Sequence, residues 1–340
     1  MIRTGCGWVG LLLMLAASSG CQPALPAFQV DPAERLELET RSLDLLIAAA
    51  QSDAEDVACN ALEALVRVAP QAWAPTFRLA VRSPSPLVRH AALAALGEVR
   101  DRQGLALAEA AIRDDSRHVQ LAAAFCAARC GKDGFVRLLV DALRTTPAEN
   151  ILAEAAALLG RLDEPRAKPW LRAALQAPLN RKSKPVTLAI HGALAALGDT
   201  AALHELIGYA QGDAATRSIA LLLLADLGNP EARDALRYRF LTPLEDYVEA
   251  RLIAARGLGR LGDRSGYELA MQHLDFKDPN PEPSPESPER TYAVRSMAIH
   301  ALAEIGDLRA VSALRGIAAD QSDPRLQVAA SYALQRLLKR

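Results

Sequence analysis

ARLIAARGLGRLGD, residues 250 to 263, and VRSMAIHALAEIGD, residues 294 to 307, are one phrase in different letters, and VRHAALAALGEVRD, residues 88 to 101, is a third copy. Each places alanine four residues after its first position, leucine eight after, and leucine, isoleucine or valine eleven after. Offsets 0, 4, 8 and 11 fall on one face of an α-helix. With the first residue of each copy as anchor, the phrase recurs at Val57, Val88, Val119, Ile151, Val186, Thr216, Ala250, Val294 and Leu326. The spacings run from 30 to 35 residues, apart from one of 44 before Val294. A period of this length is the mark of a stacked repeat.

Offset 4 is alanine in eight of the nine copies, Ile190 being the exception, so a second helix must approach closely there. Burying each large aliphatic residue of the stripe is worth about 1.5–3 kcal/mol, and a lone helix pair cannot hide the stripe, so neighbouring pairs must stack. Gly198-Asp199, Gly228-Asn229, Gly262-Asp263 and Gly306-Asp307 punctuate the copies. Glycine takes the left-handed turn that ends one helix, and the Asx side chain caps the N–H groups of the next. The segments that follow, such as TAALHELIGYA (200–210) and LRAVSALRGIA (308–318), are amphipathic, which predicts a helix pair per repeat and about eighteen helices in all.

Anchor, Arg, small residue at offset 4, Ala-Leu and Leu-Gly-Asp together resemble the HEAT family, in the short form similar to phycobilisome-lyase-type repeats, over roughly 290 of 340 residues. The resemblance implies an all-α solenoid, a right-handed superhelix of about nine HEAT-like helix pairs whose second helices line a concave surface that holds protein partners. With helices 8–10 Å apart, an open row is roughly 80–90 Å long. Leu152 and Thr187 replace the usual arginine in the fourth and fifth copies, and Ala127 and Cys130 replace large aliphatics in the third.

The N-terminus reads MIRTGCGWVGLLLMLAASSGC. Its apolar run, Trp8 to Ala17, is too short to span a bilayer and follows one basic residue, Arg3, as in a secretory signal. Small residues before Cys21 resemble a bacterial lipoprotein signal, a resemblance that implies Cys21 as the lipidated N-terminus and, from Gln22 after it, the outer membrane rather than the inner. Ordinary cleavage near Ala17 or Ser18, or an uncleaved anchor, are the alternatives. The expected organisation is a signal peptide over 1–20, a lipidated N-terminus and proline-containing tether over 21–34, and the solenoid over 35–340 with a flexible, acidic, proline-rich loop at 277–290. That loop is either a tolerated insertion or a docking element.

There are 39 basic and 40 acidic residues, so no basic excess invites nucleic acid. Besides Cys6 and Cys21 the cysteines are Cys59, Cys126 and Cys130, the last two at apolar offsets that favour buried thiols. No phosphate loop, HEXXH or GXSXG occurs, and one His-Glu dipeptide, His204-Glu205, cannot build a two-metal site. No cofactor, metal or small-molecule substrate is expected. Arg89, Arg217, Arg251 and Arg295 follow their anchors, and Asp53, Asp115, Asp213, Asp246 and Asp323 precede anchors. They form either a structural Asp/Arg ladder or an arginine row that reads a carboxylate-bearing partner.

Offsets 2 and 6 point away from the stripe, and there Leu121, Phe125, Leu188 and Leu222 give way to Arg256, His300 and Tyr332. Either these residues pack between repeats, or they form an apolar groove with a basic exit in which a helix or extended segment docks on Phe125 and Leu222. The expected function is that of a membrane-tethered, non-enzymatic scaffold of the bacterial cell envelope that binds a protein or peptide on its concave face. A HEAT-like lyase or enzyme accessory, and a cytosolic scaffold with its start codon set too early, are the alternatives.

Overall fold

The computed structural model describes residues 30–68, 71–242, 248–279 and 287–339, and every regular element there is helical. In chain order come α1 (Pro32–Ala49), α2 (Glu55–Val68), α3 (Ala74–Ala80), α4 (Pro86–Glu98), α5 (Leu105–Ala111), α6 (Arg117–Arg129) and α7 (Val136–Thr145). Next are α8 (Glu149–Arg161), α9 (Lys168–Gln176), α10 (Pro178–Lys182), α11 (Lys184–Ala196), α12 (Thr200–Gln211) and α13 (Ala214–Leu227). The last are α14 (Arg233–Leu241), α15 (Val248–Arg260), α16 (Tyr267–Gln272), α17 (Ser287–Ile305), α18 (Val311–Ala319) and α19 (Pro324–Leu338). The nine helices carrying the phrase, α2, α4, α6, α8, α11, α13, α15, α17 and α19, pack side by side in sequence order, with shorter helices outside them.

All nine residues at offset 4, Ile190 included, are fully buried, and Leu65, Leu96, Leu159, Leu224, Leu258 and Leu302 at offset 8 are buried with them. Close approach is paid for by small residues at offset 9 as well. A Cβ on Gly160 would stand 2.7 Å from the Cα of Ala193 in the next inner helix, and one on Gly259 would stand 2.7 Å from the Ile305 nitrogen. The expected caps are in place: Gly198, Gly228, Gly262 and Gly306 have φ of +80, +59, +85 and +74°. Asp199 Oδ1 accepts from the Ala202 N–H, and Asp307 Oδ1 from that of Arg309. Arg100 and Asp163 make the same turn without glycine.

The solenoid does not remain open. α19 packs on both α1 and α2, so α1 takes the outer place between the last and the first inner helix. One apolar core accordingly contains Leu38 and Leu46 of α1 together with Leu334 and Leu338 of α19. Gln335, at an offset where seven of the other eight repeats carry glycine or alanine, fills the seam; its Nε2 donates to Ser42 Oγ at 2.8 Å and to the Glu39 carbonyl. Across the same junction Arg315 meets Glu34 at 2.7 Å, and Asn60 Nδ2 donates to the Tyr292 hydroxyl at 3.2 Å. The expected 80–90 Å open spiral is thus a closed row of nine repeats, which demands a rotation of roughly 40° per repeat.

Cys21 and the signal sequence lie outside the described residues, as do 280–286 of the proline-rich loop. The chain is already helical from Pro32, with Asp31 capping Ala33 and Glu34, so the end of the expected tether belongs to α1. Likewise Ser287 to Arg290, expected in the loop, begin α17.

Candidate functional site

Closure turns one row of side chains toward the middle of the ring. At offset 10 stand Arg67, Glu98, Arg129, Arg161, Ala196, Asp226, Arg260, Glu304 and Arg336, charged in eight of nine repeats. Seven of them, all but Arg129 and Ala196, line a central cavity of about 610 Å³. A lobe of about 220 Å³ shares Glu63, Arg67, Asp226 and Tyr332 with it and adds Arg256, His300 and Tyr292. A third lobe, with Glu55, Asp56 and Cys59 at its edge, joins through Glu63, His90 and Ala91. The offset-10 row was present in the sequence as a charged column, but on a single helix a polar position beside the stripe is indistinguishable from ordinary solvated surface.

Most of these charges hold one repeat to another. Arg161 Nε binds Glu98 Oε1 at 2.7 Å, and Arg129 lies 3.9 Å from the same carboxylate. Arg336 binds Glu304 at 3.1 Å, and Arg256 binds Asp226 at close range. His90 Nε2 meets Glu154 Oε1 at 2.8 Å, which ties α4 to α8 across the intervening α6. Burial opposes ionisation of Glu154, yet the hydrogen bond and charge of His90 prevail and hold its carboxyl below the usual range. His300 packs against Tyr332 with ring centroids 5.4 Å apart. Burial first, then the positive charges of Arg256 and Arg67, push His300 down to about 3, so it is neutral at physiological pH. For Arg67, burial works against the charge, but Tyr332 and Asp226 outweigh it and raise its pKa.

The apolar groove expected along offsets 2 and 6 is absent. Leu121, Phe125 and Leu188 are fully buried and Tyr332 is 3 % exposed, while Leu222 is partly buried against the core. The tight inner circumference packs these side chains between repeats: Phe125 occupies the space beside Gly97, where a Cβ would come within 2.6 Å of its ring, and Arg161 stacks over it at 5.2 Å. Phe125 and Leu222 therefore do not form an open pair of docking anchors. The polar end of the row, Arg256, His300 and Tyr332, is gathered into the wall of the 220 Å³ lobe.

The Asp/Arg ladder exists with different members. Arg89 pairs with Asp114 rather than Asp115, at 2.8 Å. Arg217, Arg251 and Arg295 instead donate to the carbonyls of Gly212, Phe240 and Leu274. The carboxylates of the other rungs come from the residues that start outer segments, in Arg78–Asp101, Arg172–Asp199 and Arg237–Asp263 at 2.7–2.8 Å. Asp199 and Asp263, which also accept from the Ala202 and Ser265 N–H groups, thus reach the arginine of the preceding outer helix as well, and offset counting from the anchor does not show that second bond. Cys126 is buried as expected, and Cys130 Sγ donates to the Asp101 carbonyl at 3.4 Å.

Residues 43–116, 104–183 and 245–335 match the family model for HEAT repeats, and the chain belongs to the HEAT-repeat family. No curated protein matches it. Among solved structures it is similar to the complex of CpcE and CpcF of phycocyanin lyase from Nostoc sp. PCC7120, at 17% identity and a TM-score of 0.43, over 81% of this chain and 97% of that one. It is also similar to human deoxyhypusine hydroxylase in complex with glycerol, at 19% identity and a TM-score of 0.38, over 81% and 99% of the two chains. An engineered protein aligns at 16% identity and a TM-score of 0.32, over 91% and 96%.

Proposed function

We propose that this HEAT-repeat protein is a non-enzymatic scaffold of the bacterial cell envelope, lipidated at Cys21 and facing the periplasm, that holds a protein or peptide partner. The observation that carries the scaffold reading is the closed row. With α1 seated between α19 and α2, the first and last repeats pack on each other and every inner helix has a neighbour on both sides. Asp31, the capping residue, is ten positions after Cys21, a lead of at most roughly 35 Å, which would keep the ring close to the membrane. Three acyl chains on that cysteine would suffice for stable anchoring, whereas one chain binds only marginally.

The cavity chemistry also favours a scaffold over a catalyst. Glu98, Glu304, Asp226 and Glu154 are each engaged by a basic group of another repeat. Such pairs stabilise fixed charge states and suit a structural role better than proton exchange with a substrate. Since the concave face is enclosed, a folded partner would meet the outer helices and rims of the ring. The test is fractionation and crosslinking in a bacterial host, comparing the wild type with Cys21→Ser. Membrane association that Cys21→Ser abolishes, with a stoichiometric crosslinked partner recovered only from the wild type, supports the proposal. A soluble wild-type protein with Met1 intact by mass spectrometry refutes it.

A further inference from the structure

The scaffold reading leaves the centre of the ring unassigned, and the arrangement there goes beyond it. We propose that the central cavity is a binding site for a small oxyanion, a dicarboxylate or a phosphate group, held between Arg67 and Arg260. The cavity, about 610 Å³, falls within the range of small-molecule sites. Its wall is drawn from inner helices at opposite ends of the sequence, so it exists only in the closed ring.

Charge pairing singles out the two arginines. Glu98, Asp226 and Glu304 are held by Arg161, Arg256 and Arg336. Among the described residues, neither Arg67 nor Arg260 has a carboxylate oxygen within 4.0 Å. Tyr332 and Asp226, which line the cavity with Arg67, favour its charged form. Arg260 stands one turn beyond Arg256 on α15 and lies against Gly228, where a Cβ would come within 3.0 Å of its Nε. Asp226 lines the same cavity as both arginines, but its carboxylate is taken by Arg256. Guanidinium groups offer paired N–H donors to carboxylate and phosphate, and in a partly enclosed site that attraction is screened less than in bulk water.

Glu63, four residues before Arg67 on α2, opposes the anion from one side. Neutral His300 and Tyr332 add hydrogen-bonding groups without further charge. The site therefore suits a ligand whose negative charge is concentrated away from Glu63.

Isothermal titration of the purified full chain at low ionic strength, with succinate and with inorganic phosphate as probes, tests this. Saturable binding of at least one probe, one per ring, is expected. Arg67→Ala and Arg260→Ala should each weaken it about tenfold or more, Glu63→Gln should tighten it, and Arg137→Ala, on the outer α7, should leave it unchanged. Neither arginine belongs to the buried core, so the helical CD spectrum should be unaltered in every variant. Competition by a peptide with a free C-terminus, but not by its amidated form, would assign the oxyanion to a partner's chain end; no competition by either would assign it to a free small molecule. Failure of both probes to bind the wild type, or binding that survives the double arginine variant, overturns the proposal.

Discussion

Gly160→Ala tests the closeness of the inner helices and the closure together. A Cβ at this position would lie 2.7 Å from the Ala193 Cα, 2.8 Å from its Cβ and 3.2 Å from its carbonyl oxygen. Two of these three atoms are backbone, so no side-chain rotation relieves the contact; α8 and α11 must separate. In an open solenoid the free end would swing outward and absorb the shift. In a closed row the remaining interfaces or the Gln335 seam must take it up. Alanine gains about 1 kcal/mol over glycine in a helix interior, while overpacking costs about 1–3 kcal/mol, and a backbone contact at 2.7 Å places this site at or above the upper end. The expected net loss is about 2 kcal/mol. Gly208→Ala in α12 and Gly316→Ala in α18, where nothing lies within 4 Å of the added atom, should instead gain about 0.5–1 kcal/mol. Urea unfolding followed by far-UV CD measures all three against the wild type. A Gly160→Ala protein as stable as the Gly208→Ala control would refute the close approach of α8 and α11.

Gln335→Ala removes the hydrogen bonds to Ser42 and the Glu39 carbonyl, which should cost about 1–3 kcal/mol and appear as faster amide exchange across α1 and α19 while α4 and α6 are unchanged. Asp263 is held at about 2 chiefly by its Arg237 hydrogen bond, below the value near 4 of an unfolded aspartate. Its contribution is therefore complete above pH 4 and lost as pH falls toward 2; Asp263→Asn should cost about 1 kcal/mol at pH 7, the half-exposed Arg237 being screened, and should flatten the acid limb of a pH titration of stability. His300 works over a different window. With a folded pKa of about 3, it leaves the unfolded chain to take up the proton first, so stability declines as pH drops from about 6.5 toward 3. His300→Gln should remove that part of the slope, and the His300 ring protons should show no titration by NMR between pH 8 and pH 4.

The elements of this fold were legible because each depends on a short stretch of chain. Ala61, Ala92 and their counterparts are small since an inner helix has neighbours on both sides, and Gly262-Asp263 ends and starts helices by local backbone geometry. The site was not legible, although its residues were in plain view as a column at offset 10. Whether Glu98 faces solvent or Arg161, which lies two repeats away, is fixed by the curvature of the row and not by the helix that carries it. Leu121 and Phe125 failed as groove residues for the same reason: offsets 2 and 6 are open on a shallow arc and buried on a tight one.

By itself the sequence determined that this chain is a stack of nine helix pairs, because period, apolar stripe and caps repeat within each unit and need only the adjacent unit to be satisfied. Tertiary structure alone decided that the stack closes and encloses charge. Closure is the sum of many small rotations, completed by Gln335 reaching α1, and no single repeat encodes that sum.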